Sequence, residues 1–270
     1  MKWYGKFYLY ILLFLLYLPL FFLMLYSFNS GGNMVKFEGF TLSHYQSLME
    51  NKKLLQVIFN TVAIALISAA VSTVIGLFGA LFIYSIRHQC FKLSILTLNN
   101  VLMVSSDVVI GASFLIMFTA LGQITGFGLG MFSVLISHIA FSIPIVVIVI
   151  LPKLYEMNAS MLNAGRDLGA TEFQLLNKIV IPHLMPGIIG GFFMALTYSL
   201  DDFTVSFFVT GNGFSVLSVE VYAMARRGIS MEVNAISTLL FLVIMIGLGL
   251  YQYLRHRKKK ALAQSRGAIL

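Results

Sequence analysis

This chain predicts an all-α integral membrane protein with six spanning helices, and three observations lead there. Hydrophobic residues make up 59% of the 270 positions and charged residues 10%, whereas an ordinary soluble domain has about a quarter of its residues charged. No single soluble core hides that much apolar surface, so the bilayer serves as solvent for much of it. The apolar residues also gather into six runs, near 7–28, 56–85, 94–121, 130–152, 184–209 and 233–254. Each reaches the roughly 20 residues that cross about 30 Å of hydrocarbon at about 1.5 Å per residue. Finally, one long polar stretch, 153–183, separates two of these runs and calls for a reason to be in water.

The first run, Phe7 to Phe28, follows MKWYGKF and has the outline of a secretory signal. It is long enough to span, and the YSFNS that follows lacks a small-x-small cleavage site, so it reads as a retained span. After it, Ser43-His44-Tyr45-Gln46 fits a capping box. Tyr45, Leu48 and Met49 then recur at helical spacing, which predicts a short outer surface helix. This helix is either a docking surface or a lid over the bundle. The second run carries Ser68, Ala69, Ala70, Ser72, Thr73, Gly76 and Gly79, a small face suited to close helix packing. Gly111, Gly187, Gly190, Gly191, Gly247 and Gly249 extend that device to other runs. Pro144 predicts a kink in the fourth. Residues 211–232 read as a re-entrant or surface helix. The single cysteine, Cys90, excludes an intrachain disulfide.

Lys and Arg are spread unevenly, and a net charge of +8 is therefore a topology signal rather than a nucleic-acid one. Lys2, Lys6, Arg87, Lys92, Lys153, Arg166, Lys178 and the tail (Arg255, Arg257, Lys258, Lys259, Lys260, Arg266) fall in one set of polar segments. Only Lys36, Lys52, Lys53, Arg226 and Arg227 fall in the other. The positive-inside rule places the first set, with both termini and 153–183, in the cytoplasm. Residues 1–254 then form one six-span transmembrane domain, and 255–270 a basic cytoplasmic tail against anionic lipid.

The polar stretch is patterned for structure. Leu154, Met157, Met161, Leu162 and Leu168 recur at near-helical spacing, and Gly169 is a helix stop. Thr171-Glu172-Phe173-Gln174 fits a second capping box, and Pro182 and Pro186 mark the entry to the fifth span. Two short helices across a glycine turn, joined to a membrane helix, can pass a push from a partner into the bundle.

NAGRDLGATEFQLLNKIVIPHLMP resembles the EAA loop of binding-protein-dependent ABC importer permeases, roughly E-A-A-x-x-x-G, a spacer, then I-x-L-P. Ala164, Gly169, Ile179 and Pro182 match it, while Asn163 stands at the glutamate, Gly165 at the second alanine and Ile181 at the leucine. GFTLSHYQSLMEN, SSDVVIGASFL and SLDDFTVSFFVTG are similar to the spermidine/putrescine permeases of the PotC type, so the resemblance covers nearly the whole chain. It implies the type I ABC importer permease fold in a bacterial plasma (inner) membrane. It further implies a second, different permease subunit, two ATP-binding subunits and an extracytoplasmic substrate-binding protein. The ATPase contact it implies runs through Asn163, Ala164, Gly165, Asp167, Gly169, Ala170, Glu172, Phe173 and Pro182. The residues agree about energy. No G-x-x-x-x-G-K-[ST] loop occurs, and the lone Gly5-Lys6 pair has no upstream glycine. No cofactor motif, metal-ligand set or catalytic constellation is present, so the chain reads as a transport subunit and not an enzyme.

Asp107, Asp201 and Asp202 are the acids inside the predicted spans. A carboxylate at mid-bilayer costs about 2.5–3.5 kcal/mol on insertion scales, and such groups face a bundle interior or a water-filled path. Tyr198, Asp201 and Asp202 stand at i, i+3 and i+4, with Ser199 beside them and Phe203, Phe207 and Phe208 following. Distributed carboxylates and aromatic faces suit a long organic polycation. The structural alternative is an aspartate that caps a broken helix or bonds a serine. His138 reads as hydrogen-bonded packing. Other functions to weigh are an importer for thiamine, iron or another cation, a secondary carrier, and a membrane enzyme.

Overall fold

The computed structural model describes residues 3–31, 34, 36–227, 231–242, 245–246 and 253. The helices are α1 (Trp3–Tyr26), α2 (Ser43–Glu50), α3 (Lys52–Ser85), α4 (Gln89–Val104), α5 (Asp107–Thr125) and α6 (Met131–Tyr155). They continue with α7 (Ala159–Asp167), α8 (Glu172–Leu175), a π-helical turn (Leu176–Val180), α9 (Ile181–Asp201), α10 (Thr204–Val209), α11 (Leu217–Arg227) and α12 (Met231–Leu242). Among the described residues, the extended pairing is a single bridge between Asn29 and Phe40. The chain divides into two units, Met1–Leu55 with Val221–Leu270, and Gln56–Glu220.

In the first unit α1 is an apolar rod with its side chains exposed along most of its length. The loop after it is tied by polar bonds. Asn29 is buried, its Nδ2 donates to the Lys36 carbonyl at 2.8 Å, and its Oδ1 accepts from the backbone N–H of Glu38 at 2.8 Å. The capping box expected at Ser43 is absent. Leu42 is the N-cap, and Ser43, already in the helix, donates its N–H to Thr41 Oγ1 at 3.1 Å. Thr41 thus performs locally what Ser43 was expected to do.

The second unit is a helical bundle whose centre is α6, buried for much of its length and packed most extensively on α9. Val146, Val147, Ile150, Leu151 and Leu154 of α6 join Ala69, Ala80 and Ile83 of α3 and Leu184 and Ala195 of α9 in one core. A second core collects Ile64, Phe118, Val134, Phe141, Val205 and Val209, where α10 packs on α5.

Among the described residues, five helices are long and apolar enough to cross a membrane: Tyr4–Tyr26, Lys52–Ser85, Asp107–Thr125, Met131–Tyr155 and the continuous Glu172–Asp201. The sixth expected span, 233–254, is described through α12. Most of its remainder, with Gly247 and Gly249, lies outside the described residues, as does the basic tail. Two spans expected to be continuous are broken. The run 94–121 is α4 and α5, separated at Ser105 and Ser106, whose backbones are extended (ψ 145° and 134°). The run 184–209 is α9 and α10, separated where Asp202 turns extended (ψ 120°). Both breaks fall at Ser or Asp, side chains that offer the backbone an alternative to the helical ladder.

Candidate functional site

The two breaks lie side by side. Asp107 opens α5 and Asp201 closes α9. The Tyr198 hydroxyl donates to Asp107 Oδ1 at 3.1 Å and so links the helices. Asp107, Tyr198, Asp201, Asp202, Phe203 and Thr204 line a small polar niche of about 140 Å³. Asp107 and Asp201 are exposed and Tyr198 is 40% exposed, so all three present polar atoms to the niche.

Asp202 behaves differently from its neighbour. It does not continue the face of Tyr198 and Asp201, because the helix ends before it. Its side chain is 7% exposed. Oδ2 accepts from the Ser206 N–H at 2.8 Å and Oδ1 from the Val205 N–H at 3.2 Å, which caps α10. Its carbonyl accepts from Ser218 Oγ at 2.7 Å. The structural alternative weighed for these aspartates therefore describes Asp202 well and Asp201 poorly. Ser199 is buried and faces α6, with Oγ 2.6 Å from His138 Nδ1 and accepting from Ser68 Oγ at 3.1 Å. His138 is packed and hydrogen-bonded, as its lone position in an apolar run implied. What sequence reasoning missed is the pairing of the breaks. Ser105-Ser106 and Asp201-Asp202 were visible as polar punctuation, but nothing in either stretch says that they meet.

The coupling-type residues form a second cluster. α6 runs on to Tyr155, and Asn158 caps α7 by accepting from the Ser160 N–H at 3.0 Å. α7 ends in a Schellman motif. Gly169 has φ +76°, its N–H donates to the Arg166 carbonyl at 2.8 Å, and the Ala170 N–H donates to the Gly165 carbonyl at 3.0 Å. The expected capping box is present. Thr171 Oγ1 accepts from the Gln174 N–H at 3.3 Å, and Gln174 Oε1 accepts from the Thr171 N–H at 3.0 Å. Gly165 is where α7 comes close to α8 and the π turn, since a Cβ there would lie 2.5 Å from Leu175 Cδ2 and 2.9 Å from Ile179 Cδ1. Arg166 and Glu172 pair across the turn at 2.9 Å (Nε to Oε1). Hydrogen bonding to Glu172 raises the Arg166 pKa, and the bond from Arg166 lowers that of the Glu172 carboxyl. Asn163, Ala164 and Asp167 lie on α7, Phe173 is 73% exposed on α8, and Pro182 sits in the first turn of α9. The π turn precedes Pro182, which has no N–H to give the regular ladder.

Several solved structures share this architecture, and all the following are ABC transporters. A chain of a bacterial ABC transporter involved in import of the acidic polysaccharide alginate aligns with a TM-score of 0.75 at 17% identity, covering 94% of both chains. A chain of the MetNI methionine ABC transporter aligns at 0.61 and 18% identity, covering 74% of this chain and 92% of that one. The fold is that of an ABC importer permease. The family model for the binding-protein-dependent transport system inner membrane component matches residues 72–260, and the chain belongs to that family. Among its relatives is the spermidine/putrescine transport system permease protein PotC of Escherichia coli K12, 38% identical over 231 residues, 86% of each chain. PotC of Haemophilus influenzae is 32% identical over 90% of this chain and 92% of its own. The putrescine permease PotI of E. coli K12 is 31% identical over 91% and 88%.

Proposed function

We propose that this chain is the permease subunit of an ATP-driven importer for polyamines, forming half of the translocation path and coupling it to partner ATPases. The observation that carries the reading is the niche where Asp107, Tyr198 and Asp201 converge at two helix breaks. Discontinuous helices mark substrate sites in many membrane transporters. Here the C-terminal end of α9, the negative pole of its dipole, adds negative potential to two accessible carboxylates. An alkylammonium loses water hydrogen bonds on entering and regains charge-assisted ones. The relatedness to spermidine/putrescine and putrescine permeases supports the same substrate class.

Partners follow from the family and the hairpin. A second, non-identical permease completes the path, two ATP-binding subunits drive it, and an extracytoplasmic binding protein delivers substrate. The hairpin 156–175 presents Met161, Leu168 and Phe173 to solvent, apolar side chains suited to a groove on an ATPase. Both termini and the 153–183 segment face the cytoplasm, six helices cross the bacterial inner membrane, and the chain itself hydrolyses nothing. Closure of the ATPases moves the hairpin and, through the unbroken helix from Glu172 to Asp201, the niche. The test is labelled spermidine uptake by the whole complex carrying Asp107→Asn or Asp201→Asn. Each is expected to lower uptake about tenfold or more, at normal protein level and with ATPase subunits still bound. Undiminished uptake in both removes the niche from the path.

A further inference from the structure

His138 is 1% exposed on α6, and nothing in the ammonium-binding reading uses it. Its two ring nitrogens reach opposite sides of the α9–α10 break. Nδ1 lies 2.6 Å from Ser199 Oγ in the last turn of α9, and Nε2 lies 2.9 Å from Ser206 Oγ in the first turn of α10. Nε2 is also 3.4 Å from Asp202 Oδ2. The Asp202 carboxylate closes the break along the chain, and the imidazole closes it from the side.

The ring itself is held in place. Ser68 Oγ of α3 donates to Ser199 Oγ at 3.1 Å, so the far side of the first bond is fixed by a third helix. Phe141, one turn on, packs against the ring at 4.9 Å between centroids and meets the Tyr198 ring edge-on at 5.1 Å. α10 is tied to α6 again at its other end, where Ser133 Oγ donates to the Val209 carbonyl at 2.8 Å. A displacement of α10 from α9 therefore breaks one of the two histidine bonds.

We propose that His138 is a positioning residue. It splints the α9–α10 break by bonding Ser199 and Ser206 at once, and thereby holds Tyr198 and Asp201 in register with Asp107; this rests on the niche being the substrate path. A neutral imidazole donates from one nitrogen and accepts at the other, and each serine hydroxyl can do either, so one tautomer satisfies both bonds. Leucine fills much of the space and makes neither bond. Glutamine offers a donor and an acceptor on a side chain of similar reach.

The experiment is labelled spermidine uptake by the whole complex with its binding protein, comparing H138L, H138Q, S206A and the double variant H138L/S206A. H138L is expected to lower uptake about tenfold, because the Ser199 and Ser206 hydroxyls lose their shared imidazole partner, with H138Q recovering most of it. S206A is expected to lower uptake a few-fold alone and add almost nothing in the H138L background, since both remove the same bond. Wild-type uptake by H138L, or additive losses in the double variant, or H138Q no better than H138L, overturns the proposal. If H138L fails to accumulate, S206A decides, and wild-type uptake by S206A then overturns the proposal. The Asp107→Asn and Asp201→Asn variants separate the two readings. Their failure beside normal H138L overturns the splint alone, whereas undiminished uptake in both overturns the path and, with it, any link between splint and transport.

Discussion

Asp201 stands where a helix disfavours a carboxylate. It is the last residue of α9, at the end carrying the negative pole of the macrodipole, and is exposed rather than bonded into a cap. Asp107, by contrast, sits in the first turn of α5, where a negative charge is welcome by about 0.3–1 kcal/mol. Asp202 is bound by two backbone N–H groups of α10. These surroundings separate three residues that are alike in the sequence, and they give opposite expectations. Asp202→Ala removes a cap and exposes buried donors, so it is expected to lower the stability of the purified protein by about 1–2 kcal/mol, visible as a fall in Tm. Asp201→Asn relieves a charge at the wrong pole, so its Tm is expected to hold or rise while uptake falls. A matching fall in Tm for both would mean that Asp201 is structural too.

The hairpin 156–175 is the element that sequence made most legible, because its signals are local. Gly169, the Thr171–Gln174 box and the Asn158-to-Gly169 helix length are all set within a few residues, and local rules suffice for them. The broken spans were not legible in the same way. Hydropathy sees apolar runs and passes over a two-residue break, and the meeting of the breaks depends on contacts between α5, α9 and α10 that no window of sequence contains. The glycine at 165, where the loop pattern has alanine, acquires a reason only from packing. Gly165→Ala must shift the side-chain tips of both Leu175 and Ile179 and is expected to lower uptake mildly, whereas Gly165→Val must push α7 off α8 and is expected to uncouple ATP hydrolysis from uptake in the reconstituted complex. Gly169→Ala keeps the turn but forces a side chain into φ +76°, expected to cost about 1 kcal/mol. The Arg166–Glu172 pair sets a pH expectation. The Glu172 carboxyl titrates below its ordinary value, so the contribution of the pair is complete above that ordinary value and is lost only as pH falls through the lowered one. Protease accessibility of the hairpin is expected to stay flat from pH 8 to pH 6 (values chosen well above any carboxylate range) and to rise only in acid. A rise near neutrality would mean that another group governs the turn.

At the scale of the whole molecule, the direction of insertion decides which face meets ATP and which meets the binding protein. The excess of Lys and Arg is expected to put the α3–α4 connection on the same side as the hairpin and both termini. Structure adds a tie between the α3–α4 connection and the helix that leads into the hairpin. Lys92 of α4 lies over the Tyr155 ring at 4.9 Å and the Tyr84 ring at 6.0 Å, so the start of α4, the end of α3 and the end of α6 form one aromatic-basic corner. α6 leads straight from that corner into the hairpin, so whichever side holds Lys92 holds the hairpin proposed to meet the ATPase. Cys90 is the single cysteine and is exposed two residues from Lys92, which makes it a native reporter of that side. A membrane-impermeant maleimide is expected to leave Cys90 unlabelled in intact spheroplasts and to label it in inside-out vesicles, with Cys90→Ser as the blank. Bound ATPase subunits are expected to slow the labelling only in the vesicles. Labelling of intact spheroplasts would put Lys92, Tyr155 and the hairpin on the outer face, where no ATPase can reach them, and would overturn coupling through this hairpin.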